Sequence, residues 1–231
     1  MKTVACIIAR TNSTRLVKKV LLEINGKKVI EHIIERIKEI EEIDEIYIKH
    51  FYDSLILHEV VDLNDITTFL DIGSGAGFPA IPIKIMFPHL NITIIEPTLK
   101  RCNFLSELCK LLEINNVEII NERSENISDK QRDYFDIVTA RAVANLPTLL
   151  ELTIPYVKVD GYFLSFKGSS YEEEMENSKN AINKLGSQVV DVYKYDLPSN
   201  LGKRTIIKIL KLSKTSKEYP RKYAVIKKKH L

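Results

Sequence analysis

Long apolar runs are missing from this 231-residue sequence. None approaches the roughly 18 residues needed to cross a bilayer. The opening MKTVACIIARTNSTR has no signal-peptide core, so a cytoplasmic protein with no membrane partner is expected. Cysteine is scarce as well. Cys6, Cys102 and Cys109 are odd in number and show neither a Cys-x-x-Cys nor a Cys/His metal spacing, so reduced, mostly buried thiols are expected and a metal is not. Repeats and low-complexity tracts are absent apart from a basic terminus. With 45% hydrophobic and 28% charged residues, the composition excludes a wholly disordered chain and a disulfide scaffold. It suits one α/β domain, or one domain with a small appendage.

The net charge of +3 conceals an asymmetry. From Lys211 to Leu231 eight Lys/Arg face one acid, a balance of +7, which leaves 26 bases and 30 acids, or −4, over residues 1–210. A basic tail on a slightly acidic body points to a polyanionic partner. The same pattern also fits a solvated terminus.

From Thr67 onward β-rich runs alternate with helical spacing. TTFLDIG, ITIIEP, NVEIIN, FDIVTAR, GYFLSFKG, QVVDVYKY and RTIIKIL read as strands. Pro79–Phe87, Leu99–Leu112, Leu146–Val157 and Tyr171–Leu185 read as helices. Such alternation gives a mostly parallel sheet with helices on both faces. Seven strands, the last two joined by a turn over Pro198–Gly202, suit the Rossmann-like arrangement of class I methyltransferases, whose final strand is antiparallel. Residues 1–49 read as a separate βαβ piece: VACIIAR a strand, NGKK a turn, VIEHIIERIKEI an amphipathic helix and IDEIYIKH a second strand. The expected organisation is a βαβ fragment over 1–49, a core over 50–212 and a basic tail over 213–231.

The glycine loop carries the strongest chemical signal. Asp71-Ile-Gly73-Ser-Gly75-Ala-Gly77 closes the first core strand and opens a helix, so its N–H groups meet a crevice above the carboxyl ends of the strands. The dinucleotide fingerprint needs a third glycine three residues beyond the second. Here it comes after two, and Phe78 holds the reserved place, which disfavours pyrophosphate. Close backbone approach then suits S-adenosylmethionine. Asp71 is the acid near its amino-acid moiety, and Glu96, at the end of the next strand, can accept both ribose hydroxyls. A tight turn without ligand is the alternative for the glycines, and a solvated strand end is the alternative for Glu96. The coincidence of three glycines, a preceding acid and Glu96 favours a site.

DIGSGAGFPAIPIKIMFPHLNITIIEPTLKRCNFLSEL, followed by NERSENI, FDIVTARAVANL, LSFKG and EYPRKY, resembles the bacterial 16S ribosomal RNA guanine-N7 methyltransferase family, from about Lys49 to the carboxyl terminus. That family is also called glucose-inhibited division protein B, and KHFYDSL at Lys49–Leu55 is similar to its pre-core segment. The resemblance implies S-adenosylmethionine held by the glycine loop, Phe78 and Glu96, with Ser124 and Glu125 beside the adenine. Arg123 and Arg141 would face the cofactor and the acceptor. Lys100, Arg101, Arg123 and Lys167 would place positive charge around RNA, although Lys100 and Lys167 read equally well as solvated surface. Arg221 and Lys222 of the tail would join them, with Tyr219 and Tyr223 able to stack on bases. The implied partner is 16S ribosomal RNA or a small-subunit precursor. Removing the tail after Leu212 is expected to weaken RNA binding and leave cofactor affinity alone.

The chemistry has its own logic. Guanine N7 presents an in-plane lone pair, so methylation there removes no proton before attack and needs no general base. Thr139-Ala140-Arg141-Ala142 lacks the Asn/Asp-Pro-Pro-aromatic tetrad that holds an exocyclic amine. A carbon-5 route needs a cysteine nucleophile, whereas Cys102 and Cys109 lie seven residues apart on one helix face, where burial explains them. Arg141, the residue expected to act catalytically, would orient guanine O6 or a phosphate.

Val4–Lys49 instead resembles the start of a sugar-nucleotide cytidylyltransferase, through ARTNSTRL at Ala9–Leu16 and the following VLLEINGKKVIEHIIERI. That family continues Leu-Pro-Gly-Lys, whereas Val17, Lys18 and Lys19 follow Leu16 here, and the rest of its fold is absent. A CTP-dependent nucleotidyltransferase fragment and a catalytically silent RNA-binding module are the competing functions. The helical extension that precedes KHFYDSL in the methyltransferase family is not found, so exposed apolar surface on the core's flank is expected.

Overall fold

The computed structural model describes residues 23–24, 27–28, 45–141, 143–168 and 170–231. A short antiparallel ladder, β1 (Glu23–Ile24) with β2 (Lys27–Lys28), sets Ile24 opposite Lys27 and Glu23 opposite Lys28. Lys27 and Lys28, expected in a turn, are therefore paired. The strand expected over VACIIAR and the helix over VIEHIIERIKEI lie outside the described residues.

All seven strands expected from Thr67 onward form, and they join in one sheet. They are β3 (Thr68–Ile72), β4 (Asn91–Ile95), β5 (Val117–Ile120), β6 (Phe135–Arg141), β7 (Val157–Lys167), β8 (Ser187–Asp196) and β9 (Lys203–Lys211). Their spatial order is β5-β4-β3-β6-β7-β9-β8. β3 to β7 pair in parallel, and β9 is antiparallel to both of its neighbours. This is the mostly parallel α/β arrangement read from the periodicity.

Adjacent residues of the central strands feed opposite faces, because side chains alternate along a strand. Leu70, Val138, Phe163 and Ile207 pack on one face with α5 (Leu146–Thr153) and α7 (Lys179–Lys184). Phe69, Ile137, Leu164 and Ile206 pack on the other with α2 (Leu57–Val60), α3 (Ala80–Met86) and α4 (Leu99–Leu111). Cys102 and Cys109 of α4 are free and buried, while Leu99, Phe104 and Leu111 of the same helix are exposed.

Three expectations need correction. IDEIYIKH is not a strand where it is described: Glu45 and Ile46 are helical, and Tyr47–Tyr52 form a π-helical stretch that runs into α1 (Asp53–Leu55). Tyr47 stacks on Phe51 at 5.9 Å and Lys49 bonds Glu45 at 2.8 Å, and only helical backbone brings residues four apart together. The helix expected over Tyr171–Leu185 breaks into α6 (Tyr171–Glu176) and α7, where the buried Ser178 hydroxyl donates to the Glu174 carbonyl at 2.6 Å. α5 stops at Thr153 because Pro155 offers no N–H. A 3-10 turn over Ile154–Tyr156 follows, and β7 starts four residues earlier than GYFLSFKG suggests.

The terminus is also not a free extension. Tyr219 and Ile226 are buried, the latter in α8 (Tyr223–Lys228).

Candidate functional site

The strand order reverses between β3 and its neighbours β4 and β6, and a crevice opens beyond their carboxyl ends. The glycine loop turns there with Gly73, Gly75 and Gly77 at φ +75°, +61° and +99°, in the left-handed region that disfavours any side chain. A Cβ on Gly73 would meet Val143 at 2.6 Å, and one on Gly77 would meet Ile81 at 2.6 Å. Gly75 differs, since a Cβ there would meet nothing within 4 Å. Its N–H donates to Glu96 Oε2 at 3.1 Å, the Thr98 N–H donates to Glu96 Oε1 at 3.0 Å, and Arg101 Nη1 stands 3.5 Å from Oε1. Glu96 is therefore buried yet tied to both edges of the crevice, and a carboxylate has acceptor capacity left after two such bonds.

These groups border a cavity of about 400 Å³, a size that suits a nucleoside-bearing cofactor. Gly73, Glu96, Arg101, Arg123, Ser124 and Glu125 supply its polar lining. Ile72, Ile95, Pro97, Val143 and Leu152 supply the apolar one, and Tyr223 closes it. Beneath the loop, Asp71 is fully buried: Oδ1 accepts from Thr139 Oγ1 at 3.0 Å, because the parallel register sets the two side by side. Asp71 Oδ2 and Ser74 Oγ are buried without a hydrogen-bond partner. An open Gly75 and a buried carboxylate with acceptor capacity left at the cavity fit S-adenosylmethionine.

Burial pushes the Asp71 carboxyl up to about 7 from 3.8, against the opposing bonds and the Arg141 charge. Because the folded-state value is the higher one, protonated Asp71 is accommodated below about pH 4. Above that, Asp71 ionises in the unfolded chain but not in the fold, which erodes stability as pH rises toward 7, by up to ~4 kcal/mol. Asp71→Asn should remove that slope. Urea unfolding at pH 4.5 and 7.5 checks it, and equal pH dependence in both proteins would show that Asp71 ionises freely.

A second cavity, of about 490 Å³, lies on the other side of the β6–α5 connection: Val143 lines the first and Ala144 the second. Arg141, at the end of β6, dominates it. Nη1 donates to Asp53 Oδ2 at 3.0 Å, Nη2 donates to His50 Nδ1 at 3.2 Å, and the guanidinium carbon sits 5.4 Å from the Phe78 ring centre. Asp53 also accepts from the Tyr195 hydroxyl at 2.7 Å and stands 3.8 Å from Arg204 Nε. Burial and then the Arg141 charge lower the His50 pKa, which keeps its ring neutral and able to accept. Lys167 is buried and donates to the Ala144 carbonyl at 2.9 Å and to Glu174 at 2.7 Å. Burial lowers its pKa, while Glu174 pulls the other way.

A family model described as rRNA small subunit methyltransferase G matches residues 17–207. The chain belongs to this family. Ribosomal RNA small subunit methyltransferase G of Bacillus pumilus is 42% identical over 206 residues, covering 88% of this chain and 83% of that one. The proteins of the same name from Staphylococcus saprophyticus and Bacillus subtilis are 44% identical, over 88% and 79% of this chain and 83% and 77% of theirs. Among solved structures, M. jannaschii TYW2 in complex with AdoMet superposes with a TM-score of 0.57 at 19% identity, over 71% of this chain and 76% of that one. StiE O-MT residues 942–1257 gives a TM-score of 0.59 at 15% identity, over 83% and 84%; at these identities the likeness is one of fold. The family match begins at residue 17, so the methyltransferase likeness is not confined to Lys49 onward and overlaps the stretch that resembles a cytidylyltransferase. Among the described residues no helix is long and apolar enough to cross a membrane, and no group of three or more His, Cys, Asp or Glu could hold a metal.

In this methyltransferase G family member, Gly73, Glu96, Ser124 and Glu125 gather at the first cavity with Arg101 and Arg123, above Asp71. Gly75 bonds Glu96 there, and Gly77 packs against Ile81 and Leu105. Ser124 acts through its backbone position: its hydroxyl donates to Leu152 O at 2.5 Å and its carbonyl accepts from the Tyr156 hydroxyl. Phe78 packs on His50, Phe51 and Arg141, away from the cofactor candidates that line the first cavity. Arg141, expected at both, lines the second cavity. Lys100, Arg101 and Lys222 are exposed. Lys167 and Arg221 are not the free surface cations expected, since Glu174 answers the first and Glu151 the second. Sequence reasoning passed over His50, Asp53, Glu174, Tyr195 and Arg204 as site residues, and it gave Tyr223 to RNA bases rather than to the first cavity, which it lines. For the first two, the polar positions inside KHFYDSL were the available signal.

Proposed function

We propose that this chain transfers the methyl group of S-adenosylmethionine to N7 of a guanine in 16S ribosomal RNA, as a cytoplasmic enzyme acting on that RNA or a small-subunit precursor. The observation that carries the reading is the pair of cavities at the carboxyl ends of the central strands. One is bordered by Glu96, which the Gly75 N–H bonds, and the other by Arg141, and the consecutive residues Val143 and Ala144 line one each. Family membership and the names of the relatives support the same activity.

When bound, the cofactor supplies an electrophilic methyl on a sulfonium. The chain's own task is then positioning, which can lower a barrier by on the order of 7–11 kcal/mol. Arg141 is clamped by Asp53, His50 and Phe78, so its remaining donors hold a fixed direction for guanine O6 or a phosphate. Asp53 has a further effect. Methylated N7 carries positive charge, which a bare arginine would oppose, and the carboxylate 3.0 Å from Arg141 offsets that repulsion. Lys100, Arg101 and Lys222 supply exposed charge for the RNA backbone.

Incubation with tritiated donor and small-subunit RNA, naked and assembled, followed by nucleoside analysis, should yield labelled N7-methylguanosine. Label in another nucleoside, or none, overturns the reading. Arg141→Lys should cut turnover at least tenfold while leaving donor affinity within about twofold, because an ammonium cannot reproduce the planar fork. An unchanged turnover would make Arg141 a structural residue only.

A further inference from the structure

Residues 213–231 read in the sequence as a basic tail or a solvated terminus, and the structure pins them. Arg132 donates to the Tyr219, Ser216 and Thr215 carbonyls at 2.5, 3.1 and 3.2 Å. Arg221 closes a two-pronged pair on Glu151 at 2.8 and 2.7 Å, and its backbone N–H adds a third bond to the same carboxylate at 2.8 Å. Glu151 is fully buried in α5, and Ile226, five residues past Arg221, is fully buried in α8. Two residues beyond that clamp, Tyr223 is half-buried at the wall of the first cavity. The Arg123 guanidinium lies 5.7 Å from its ring centre, and Arg123 directly precedes Ser124 and Glu125. Among the described residues, Tyr223 is the one aromatic side chain that lines this cavity.

An aromatic ring with a guanidinium over it, lining the same cavity as Gly73 of the glycine loop, is a platform for a flat heteroaromatic base. We propose that Tyr223 is a cofactor-binding residue on which the purine base of S-adenosylmethionine stacks, and that the Arg221–Glu151 pair is the device that sets it there. This rests on the donor assigned above and extends it to the terminus. The terminal segment is then a wall of the cofactor site as well as a carrier of charge. Removing it should cost donor affinity, contrary to what composition alone suggests.

Calorimetric titration of the full chain with S-adenosylhomocysteine tests this. Tyr223→Ala should weaken binding about tenfold or more. Tyr223→Leu, which keeps apolar area but not the flat ring, should fall with it, and Tyr223→Phe should stay within about threefold of the parent. Glu151→Gln should weaken binding less, and adding it to Tyr223→Ala should cost nothing further, since the clamp acts through the ring. Equal affinities for the parent and Tyr223→Ala, or a Glu151→Gln loss that persists in full without the ring, overturn the inference while leaving the donor assignment standing. A parent chain that fails to bind S-adenosylhomocysteine overturns both.

Discussion

Asp53→Ala should destabilise the fold by about 3–5 kcal/mol and abolish most turnover, because it leaves the largely desolvated Arg141 without its carboxylate. Asp53 accepts from Arg141 at 3.0 Å and from Tyr195 at 2.7 Å, so one truncation strands two donors. The lower end of the range is expected, since 16% of the Arg141 side chain reaches solvent and His50 still accepts from it. Against a total stability of about 5–15 kcal/mol that is a large fraction. Urea unfolding measures it. The paired change Asp53→Leu with Arg141→Met should recover most of the stability and none of the activity, because replacing both partners removes the stranded charge. A loss below about 1 kcal/mol for Asp53→Ala would mean that Arg141 is held by its other contacts, and that the clamp is not built around Asp53.

Glu96→Ala should weaken donor binding roughly 10- to 150-fold, the equivalent of the 1.5–3 kcal/mol typical of hydrogen bonds to a charged group. Two effects combine here. The carboxylate is lost from the ribose position, and the N–H groups of Gly75 and Thr98 lose the acceptor that holds the loop to the β4 end. Glu96→Gln separates them, because an amide oxygen can still accept from one of those N–H groups but carries no charge. Its affinity should fall between parent and Ala. Calorimetry with S-adenosylhomocysteine reads both variants, and unchanged affinity in Glu96→Ala would remove this side chain from the cofactor site.

The sheet was legible because burial on both faces writes itself as continuous β-branched and aromatic runs. TTFLDIG and FDIVTAR became β3 and β6 with no side chain of β3 exposed. The glycine loop was legible for a related reason: three left-handed positions in five residues leave few alternatives to glycine. IDEIYIKH was misread because a short I-x-I-type alternation is compatible with both periods. The stacking of Tyr47 on Phe51, which decides between them, is a contact and not a pattern.

What the residues dictate locally is therefore the order of strands and helices, the tight bend after Asp71 and the acid at position 96. Charge fate was decided elsewhere. Lys167 and Arg221 look in one dimension like cations for a polyanion. Folding sets them against Glu174 and Glu151, seven and seventy residues away, where burial makes an unanswered charge far costlier than on a surface. Tyr223 reaches Arg123 across a hundred residues for the same reason. No local pattern specifies a contact whose energy comes from burying one chain segment against another, and that packing turned a basic terminus into the wall of a cavity.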